Sequence, residues 1–302
     1  MKRRNRIGET YSSLSAVVLG FWRTLEWNKS TKDLSNYISL AHDLGINSFD
    51  HADIYGDYQC ERLFGTAFKQ TNIQRNQVQI ISKCGIKLVS SNRPTHKAHI
   101  YDTSLDHIKH SVNQSLKNLK TDYLDILLIH RPDPLMNADE VAQAFHELRN
   151  EGKVLYFGVS NFNRAQTNLL QSRLDFQLVT NQLEISPLKL DAFLNGTLDY
   201  CQQHKIVPMA WSPLGGGELF NSVEQRSLHV LDELKQVGLE LGEYAPAQIA
   251  LAWMVQHPSR ITPVIGTGNA AHLESASKAD CIKLTKEQWF RIYTVALGHN
   301  IP

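Results

Sequence analysis

Short runs of apolar and β-branched residues alternate with amphipathic patterns along the whole chain. The clearest run covers residues 124–130, and similar runs begin near residues 15, 46, 78, 154, 178, 206 and 261. After each run, apolar residues recur every three or four positions, which is typical of one face of a helix. Strict alternation of strands and helices predicts a parallel sheet, and eight such units favour a closed (β/α)8 TIM barrel over an open sheet.

The ends of the chain add little to this barrel. A last amphipathic segment, roughly residues 286–297, predicts one more helix after the eighth unit. No linker rich in proline or serine and no shift in composition divides the chain. We therefore expect one domain that spans residues 1–302.

Composition excludes several classes of partner. The net charge of +1 and pI of about 7.8 give no sign of a nucleic-acid-binding protein. No apolar run is long enough to span a membrane, and the basic start at residues 1–6 is not followed by the apolar core of a signal peptide. The four cysteines show no CxxC spacing, so we expect reduced thiols. These features predict a cytoplasmic protein, as a monomer or weak homo-oligomer.

Ionisable side chains stand where three consecutive strands end. Asp50 ends the second strand and Tyr55 follows it, Lys83 ends the third strand, and His130 ends the fourth. Active sites of TIM barrels lie at these carboxyl ends. A lysine near a tyrosine lowers the pKa of the phenol, and Asp50 could hold Lys83 by an ion pair. The set suits proton donation to a carbonyl, and since none of these groups supplies a hydride, it requires a reduced cofactor.

At these residues the chain resembles the aldo-keto reductase family. The matching segments are residues 49–56, 81–83, 127–133, 158–162 and 181–184, and the likeness covers nearly the whole chain. The segments around residues 51–56 and 209–212 look most like a bacterial subgroup of predicted oxidoreductases. The resemblance implies NAD(P)H-dependent reduction of an aldehyde or ketone, with Asp50, Tyr55, Lys83 and His130 as the catalytic residues and Tyr55 as the general acid.

The same resemblance implies a set of cofactor contacts. Ser160, Asn161 and Gln182 would hold the nicotinamide carboxamide, and Trp211 would stack on the ring, where the family usually has a tyrosine. The segment after strand seven would wrap the pyrophosphate through Ser212, Pro213, Leu214, Gly215 and Gly217. Trp22, at the end of the first strand, would line the substrate side, although a core or rim position is equally compatible with the sequence.

Two departures from the family pattern change these expectations. The 2′-phosphate region contains Gly266, Thr267, Gly268 and His272 where the family often carries lysine or arginine. The resemblance implies NADPH as the cofactor, but these residues weaken the preference for NADPH over NADH, and NADH is not excluded. The tail after Leu297 is short, so other loops must shape the substrate pocket. The polar segment at residues 85–101 is a candidate lid or, almost as readily, a disordered surface loop.

Two other functions fit parts of the pattern. The chain could be a nicotinamide-sensing or regulatory subunit with little turnover. It could also be a metal-dependent barrel hydrolase with His51, Asp53 and His130 as ligands and Lys83 as a bridging group. His51 directly follows Asp50, however, so both side chains cannot face inward from a regular strand.

Overall fold

Eight parallel strands close into a barrel in the computed structural model, which describes residues 4–6 and 13–301. Each strand pairs in parallel with its neighbours in chain order, and β8 pairs with β1 to complete the ring. The predicted TIM barrel is confirmed. Its strands are β1 (Val18–Gly20), β2 (Ser48–Asp50), β3 (Gln79–Cys84), β4 (Leu124–Ile129), β5 (Val154–Ser160), β6 (Thr180–Glu184), β7 (Val207–Trp211) and β8 (Thr262–Ile265).

Helices of seven or more residues surround the barrel, and shorter turns of helix lie in the loops. The longer helices are α1 (Thr31–Asp43), α2 (Cys60–Phe68), α3 (Leu105–Leu119), α4 (Ala138–Asn150), α5 (Arg164–Gln171), α6 (Thr197–Gln203), α7 (Gln225–Glu240), α8 (Pro246–Val255), α9 (Ala270–Ala276) and α10 (Lys286–Leu297). The short ones are Thr24–Trp27, Tyr55–Tyr58, Arg75–Gln77, Asp191–Leu194, Gly215–Gly217, Glu218–Asn221 and Ala279–Cys281.

Local sequence signals explain where several helices begin and end. Ser30 caps α1 by accepting from the backbone N–H of Asp33, and Gly45, with φ of 78°, follows its last turn. Thr285 and Gln288 form a reciprocal capping box at the start of α10. The predicted extra helix thus begins at a strong start signal and covers the bounds expected from its apolar pattern.

Apolar side chains form two layers on opposite sides of the sheet. One cluster, which includes Val18, Ile81, Ile126 and Met209, fills the barrel interior, and a larger one joins the strands to the helices. Because successive strand residues point to opposite faces, each strand serves both layers and is buried almost throughout. The filled interior leaves the carboxyl ends of the strands as the place where polar groups can face solvent.

Outside the barrel, two antiparallel strand pairs are present, Arg4–Arg6 with Ser13–Ser15 and Ile86–Lys87 with Ile100–Tyr101. Helix α10 packs across α8, where Trp253 and Trp289 stack with centroids 5.1 Å apart. No helix within the described residues is long and apolar enough to cross a membrane. The prediction that the chain begins without a signal peptide concerns residues that lie mostly outside the described ranges, at 1–3 and 7–12.

Candidate active site

Lys83 is the centre of the polar group at the barrel mouth. Its side chain is fully buried at the end of β3. The ammonium donates to Oδ2 of Asp50 at 2.7 Å, to the backbone carbonyl of His51 at 2.7 Å and to the hydroxyl of Tyr55 at 2.9 Å. These three acceptors use all three of its donors, so the position of Lys83 is fixed.

Asp50 connects this group to the far side of the barrel. Its second oxygen, Oδ1, accepts a hydrogen bond from Nε2 of Gln182 at 2.8 Å, and Gln182 lies on β6. The amide of Gln182 therefore directs its NH2 group toward Asp50. Its carbonyl oxygen remains as an acceptor for another donor.

Tyr55 and His130 lie side by side at the mouth of the barrel. Their rings meet edge to face, with centroids 5.8 Å apart. Tyr55 begins a turn in which Gly56, Asp57 and Tyr58 all have positive φ, of 55°, 54° and 66°. This turn is sharp enough to direct Tyr55 back toward Lys83, and it is strained because two of its three residues are not glycine.

Burial determines the direction in which the pKa of Tyr55 is shifted. It raises the pKa of the phenol above its ordinary value near 10, and the Lys83 charge lowers it only in part. The expectation that Lys83 brings this pKa below its usual value is wrong, because loss of solvation outweighs the attraction of the ammonium. Tyr55 is thus a protonated phenol at neutral pH.

Lys83 and His130 are the other two titratable residues whose pKa values are shifted at the site, and the shifts have opposite directions. Burial alone lowers the pKa of Lys83, but the Asp50 carboxylate and the Tyr55 hydroxyl reverse this, and the net effect raises it. Burial, together with the charges of Lys83 and Arg131, holds the pKa of His130 well below its usual range. At neutral pH the site therefore has a charged lysine, a neutral phenol and a neutral imidazole.

A cavity of about 1250 Å³ opens above these residues. This exceeds the usual size of a pocket for a drug-sized molecule, so a dinucleotide and a second small molecule could share it. Every residue that the sequence predicted for the site lines this cavity, except Lys83 beneath its floor and Gly215. The lining members are Trp22, Asp50, Tyr55, His130, Ser160, Asn161, Gln182, Trp211, Ser212, Pro213, Leu214, Gly217, Gly266, Thr267, Gly268 and His272.

Polar groups from β5 to β7 form a connected patch on one wall. Asn161 donates to Oγ of Ser160 at 2.8 Å and accepts from the indole N–H of Trp211 at 2.9 Å. Ser160 in turn donates to the backbone carbonyl of Gln182 at 3.0 Å. The amides of Asn161 and Gln182 are groups that could hold a carboxamide, and Trp211 is fixed so that it could present a flat aromatic surface.

The loop after β7 adopts a conformation that requires glycine. Gly215, Gly216 and Gly217 have φ of 63°, 65° and 107°. Gly216 and Gly217 line the cavity, whereas Gly215 packs against Leu188. Backbone without side chains could approach an anionic group closely and donate N–H groups to it.

Two indoles lie against the glycines after β8. A Cβ atom at Gly266 would lie 2.9 Å from Nε1 of Trp22, and one at Gly268 would lie 2.4 Å from Cγ of Trp27. The loop after β1 thus fills the space that longer side chains at these positions would need. Tyr37 further fixes this segment, because its hydroxyl donates to the carbonyl of Thr267 at 2.5 Å.

Two other predicted features lie apart from the cavity. No residue of the candidate lid at 85–101 lines it; the segment instead packs against the turn after Tyr55. The ring of His51 is fully buried between Phe21 and Phe64. Within the described ranges, no group of three or more His, Cys, Asp or Glu side chains is arranged to hold a metal ion.

Two arginines that were not predicted from the sequence also line the cavity, Arg23 and Arg131. Each directly follows a predicted site residue, Trp22 and His130 respectively. A survey of charged residues within three positions after each strand would have found both.

Comparison with known proteins identifies the family that the sequence of this chain matches. The model of the aldo/keto reductase family matches residues 16–296. Oxidoreductase YdhF of Escherichia coli strain K12 is 48% identical over 302 residues, with both chains fully covered. The uncharacterized oxidoreductase YcsN of Bacillus subtilis strain 168 is 47% identical, over 95% of this chain and 96% of the relative.

Two further similarities carry more specific descriptions. A 6-dehydroglucose reductase of Agrobacterium fabrum is 40% identical, over 95% of this chain and 96% of the relative. The crystal structure of an aldo/keto reductase from Klebsiella pneumoniae with NADP and acetate has a TM-score of 0.79 and 26% identity, and the match covers 97% of this chain and 94% of that one. The chain therefore belongs to the aldo/keto reductase family and is an oxidoreductase.

Proposed function

We propose that this chain catalyses the NAD(P)H-dependent reduction of an aldehyde or ketone to an alcohol, with Tyr55 as the proton donor. The observation that carries the proposal is the contact of Lys83 with both Asp50 and the Tyr55 hydroxyl, at 2.7 and 2.9 Å, beneath a cavity that His130 also lines. The reductase relative and the NADP-bound structural neighbour support the same reaction.

Tyr55 supplies a proton at the oxygen of the substrate. Since the pKa of its phenol lies above the ordinary value near 10, the hydroxyl is protonated at neutral pH and can donate when negative charge develops on that oxygen. The Lys83 ammonium, 2.9 Å away, then stabilises the phenolate that remains. Lys83 thus assists after the proton leaves.

His130 and Asp50 would have distinct supporting tasks. The imidazole of His130 is neutral and can donate one hydrogen bond to the carbonyl oxygen without competing as an acid. Asp50 holds Lys83 charged and in place, and its bond to Gln182 fixes the neighbouring amide. These contacts therefore fix the positions of Lys83 and Gln182 before a substrate binds.

A nicotinamide cofactor could bind along the wall of the cavity that the ends of β5 to β8 form. When bound, the reduced nicotinamide supplies the hydride that no side chain can provide. Ser160, Asn161 and Gln182 would hold its carboxamide, and Trp211 would face its ring. The loop from Ser212 to Gly217 would hold the pyrophosphate, and the segment from Gly266 to His272 the adenosine end. NADPH is the expected cofactor and NADH the alternative.

Substitution of Tyr55 by phenylalanine tests the proposal. We expect Tyr55→Phe to lose roughly 100-fold or more in turnover, because the proton donor is gone, while fluorescence titration shows near-normal NADPH affinity. Tyr123→Phe is the matched control, since Tyr123 precedes β4 at the other end of the barrel and contacts Arg75. The assay follows cofactor oxidation with a panel of aldehydes, ketones and quinones, for both NADPH and NADH.

Turnover that survives in Tyr55→Phe would refute the assigned role of Tyr55. A regulatory or sensing subunit gives a different result: single-turnover oxidation of bound cofactor without sustained turnover in the wild type. Stoichiometric zinc or manganese in the active protein would favour the metal-dependent hydrolase instead.

A further inference from the structure

Arg131 places a positive charge at the catalytic end of the cavity. It follows His130 directly after β4, lines the cavity and is half-buried. Its guanidinium carbon lies 5.6 Å from the centre of the Trp211 ring. Across the described part of the chain, Arg131 forms neither an ion pair nor a hydrogen bond, although a guanidinium carries five donors.

The other charges that line the cavity are already paired. Asp50 is bound to Lys83 at 2.7 Å, and Glu26 lies 3.7 Å from Arg23. The charge of Arg131 therefore has no counterpart on the cavity wall. Its unused N–H donors on the cavity wall could bind a ligand anion through charge-assisted hydrogen bonds.

The position of Arg131 in the barrel favours the substrate over the adenosine end of the cofactor. In a ring of eight strands, β4 lies opposite β8, and the segment from Gly266 to His272 follows β8. Arg131 instead directly follows His130 and lines the same cavity as Tyr55, and its guanidinium lies over the ring of Trp211.

We propose that Arg131 binds an anionic group of the substrate, so that the preferred substrates are aldehydes or ketones that also carry a carboxylate. This rests on the proposed reductase function and specifies its substrate class. A planar guanidinium matches a carboxylate with two parallel hydrogen bonds, which a neutral hydroxyl cannot replace.

Matched pairs of substrates test the charge preference. The assay compares kcat/KM for 4-oxobutanoate and its methyl ester, and for glyceraldehyde 3-phosphate and glyceraldehyde, which separates carboxylate from phosphate recognition. We expect wild type to favour 4-oxobutanoate over its ester by about tenfold or more, equivalent to about 1.4 kcal/mol. Arg131→Gln should remove most of that preference, chiefly through KM, and Arg131→Lys should restore part of it.

Two controls exclude a general effect of charge. Arg149→Gln removes an exposed arginine that packs on Phe176 at the outer surface, and it should leave the preference unchanged. An increase in ionic strength from roughly 0.05 to 0.5 M should reduce the preference in wild type but not in Arg131→Gln, because salt screens the attraction.

The proposal is overturned if wild type shows no preference for the anion, or if Arg131→Gln keeps the preference. It is also overturned if Arg131→Gln weakens NADPH binding while the preference stays, since the guanidinium then serves the cofactor. If wild type reduces only the neutral aldehydes, the anion preference is wrong and the proposed reductase function still stands.

A binding measurement covers the case in which no aldehyde is turned over, which is the failure of the proposed function. Succinate, an unreactive dicarboxylate, is titrated by calorimetry into the protein with NADP⁺. Binding that is at least tenfold weaker in Arg131→Gln supports the anion site, and equal affinity or no binding to wild type overturns it.

Discussion

The side-chain amide of Asn92 donates to both the backbone carbonyl and the carboxylate of Asp57, at 3.0 Å each. It thereby ties the loop after β3 to the left-handed turn that follows Tyr55. Tyr58, in the same turn, is held by three residues of that loop: the N–H of Leu88 donates to its hydroxyl at 2.8 Å, His96 lies 3.4 Å from that hydroxyl, and the guanidinium of Arg93 covers its ring. The loop thus stabilises the backbone that positions the proposed proton donor.

Loss of the Asn92 contact should impair catalysis more than substrate binding. A left-handed residue other than glycine costs on the order of 1–2 kcal/mol, so the turn depends on such contacts. We expect Asn92→Ala to lower kcat up to about tenfold with little change in KM, since a displaced Tyr55 acts in the transition state. Steady-state kinetics with a saturating cofactor measure both parameters.

Glycine at position 57 should rescue that loss. Gly adopts positive φ freely, so Asp57→Gly in the Asn92→Ala background should recover part of kcat. Ser91→Ala, at the neighbouring exposed position, is the matched control and should behave as wild type. An unchanged kcat in Asn92→Ala would show that the turn holds its shape without the loop.

The buried pair of Asp50 and Lys83 should show strong coupling in stability. Lys83→Met leaves the Asp50 carboxylate buried without its cation, and we expect a loss of about 3–5 kcal/mol in the free energy of unfolding. Asp50→Asn added to Lys83→Met should recover much of it. Urea unfolding measures each variant, and Lys235→Met, which breaks the exposed pair with Asp232, should cost no more than about 1 kcal/mol. Additive losses would show that the two charges are not coupled.

A side chain at Gly268 should displace the indole of Trp27. The built Cβ atom lies 2.4 Å from that ring, which packs in turn against Phe21 and Tyr37. We expect Gly268→Ala to cost about 1–3 kcal/mol of stability and to weaken NADPH binding. In the Trp27→Leu background the same substitution should cost clearly less, which a double-mutant cycle measures. An equal loss of stability in both backgrounds would show that the cost of Gly268→Ala does not come from contact with Trp27.

The buried imidazole of His51 should make stability fall in mild acid. Burial, with the charge of Lys83, holds its pKa in the folded protein well below 6.5. The unfolded chain therefore binds a proton near pH 6.5 that the folded chain does not, and unfolding becomes easier as the pH falls below that value. His51→Leu should remove up to about 1.4 kcal/mol per pH unit from the slope between pH 6.5 and 5.

Urea unfolding at several pH values measures this slope. His229→Leu is the matched control, because His229 is exposed on α7 and its surroundings change little on unfolding. The prediction fails if both variants keep the slope of wild type.

The sequence by itself determined the barrel and the place of the site. Apolar runs and helical stripes are local patterns, so they predicted the eight strands and the added helix from Lys286 to Leu297. The ends of the apolar runs then located the polar residues that follow each strand. The fold then brings Asp50, Tyr55, Lys83 and His130 together, because parallel strands in a closed ring present their carboxyl ends at one mouth.

Only the tertiary structure decided what depends on solvation and on contacts distant in sequence. Burial reversed the expected direction of the Tyr55 pKa, and burial is a property of the whole packed mouth. Trp27 explains Gly268 across some 240 residues, and the loop with Asn92 holds the Tyr55 turn where the sequence suggested a lid. The unpaired charge of Arg131 also emerges only here, because its lack of an anion depends on every neighbour that the fold places around it.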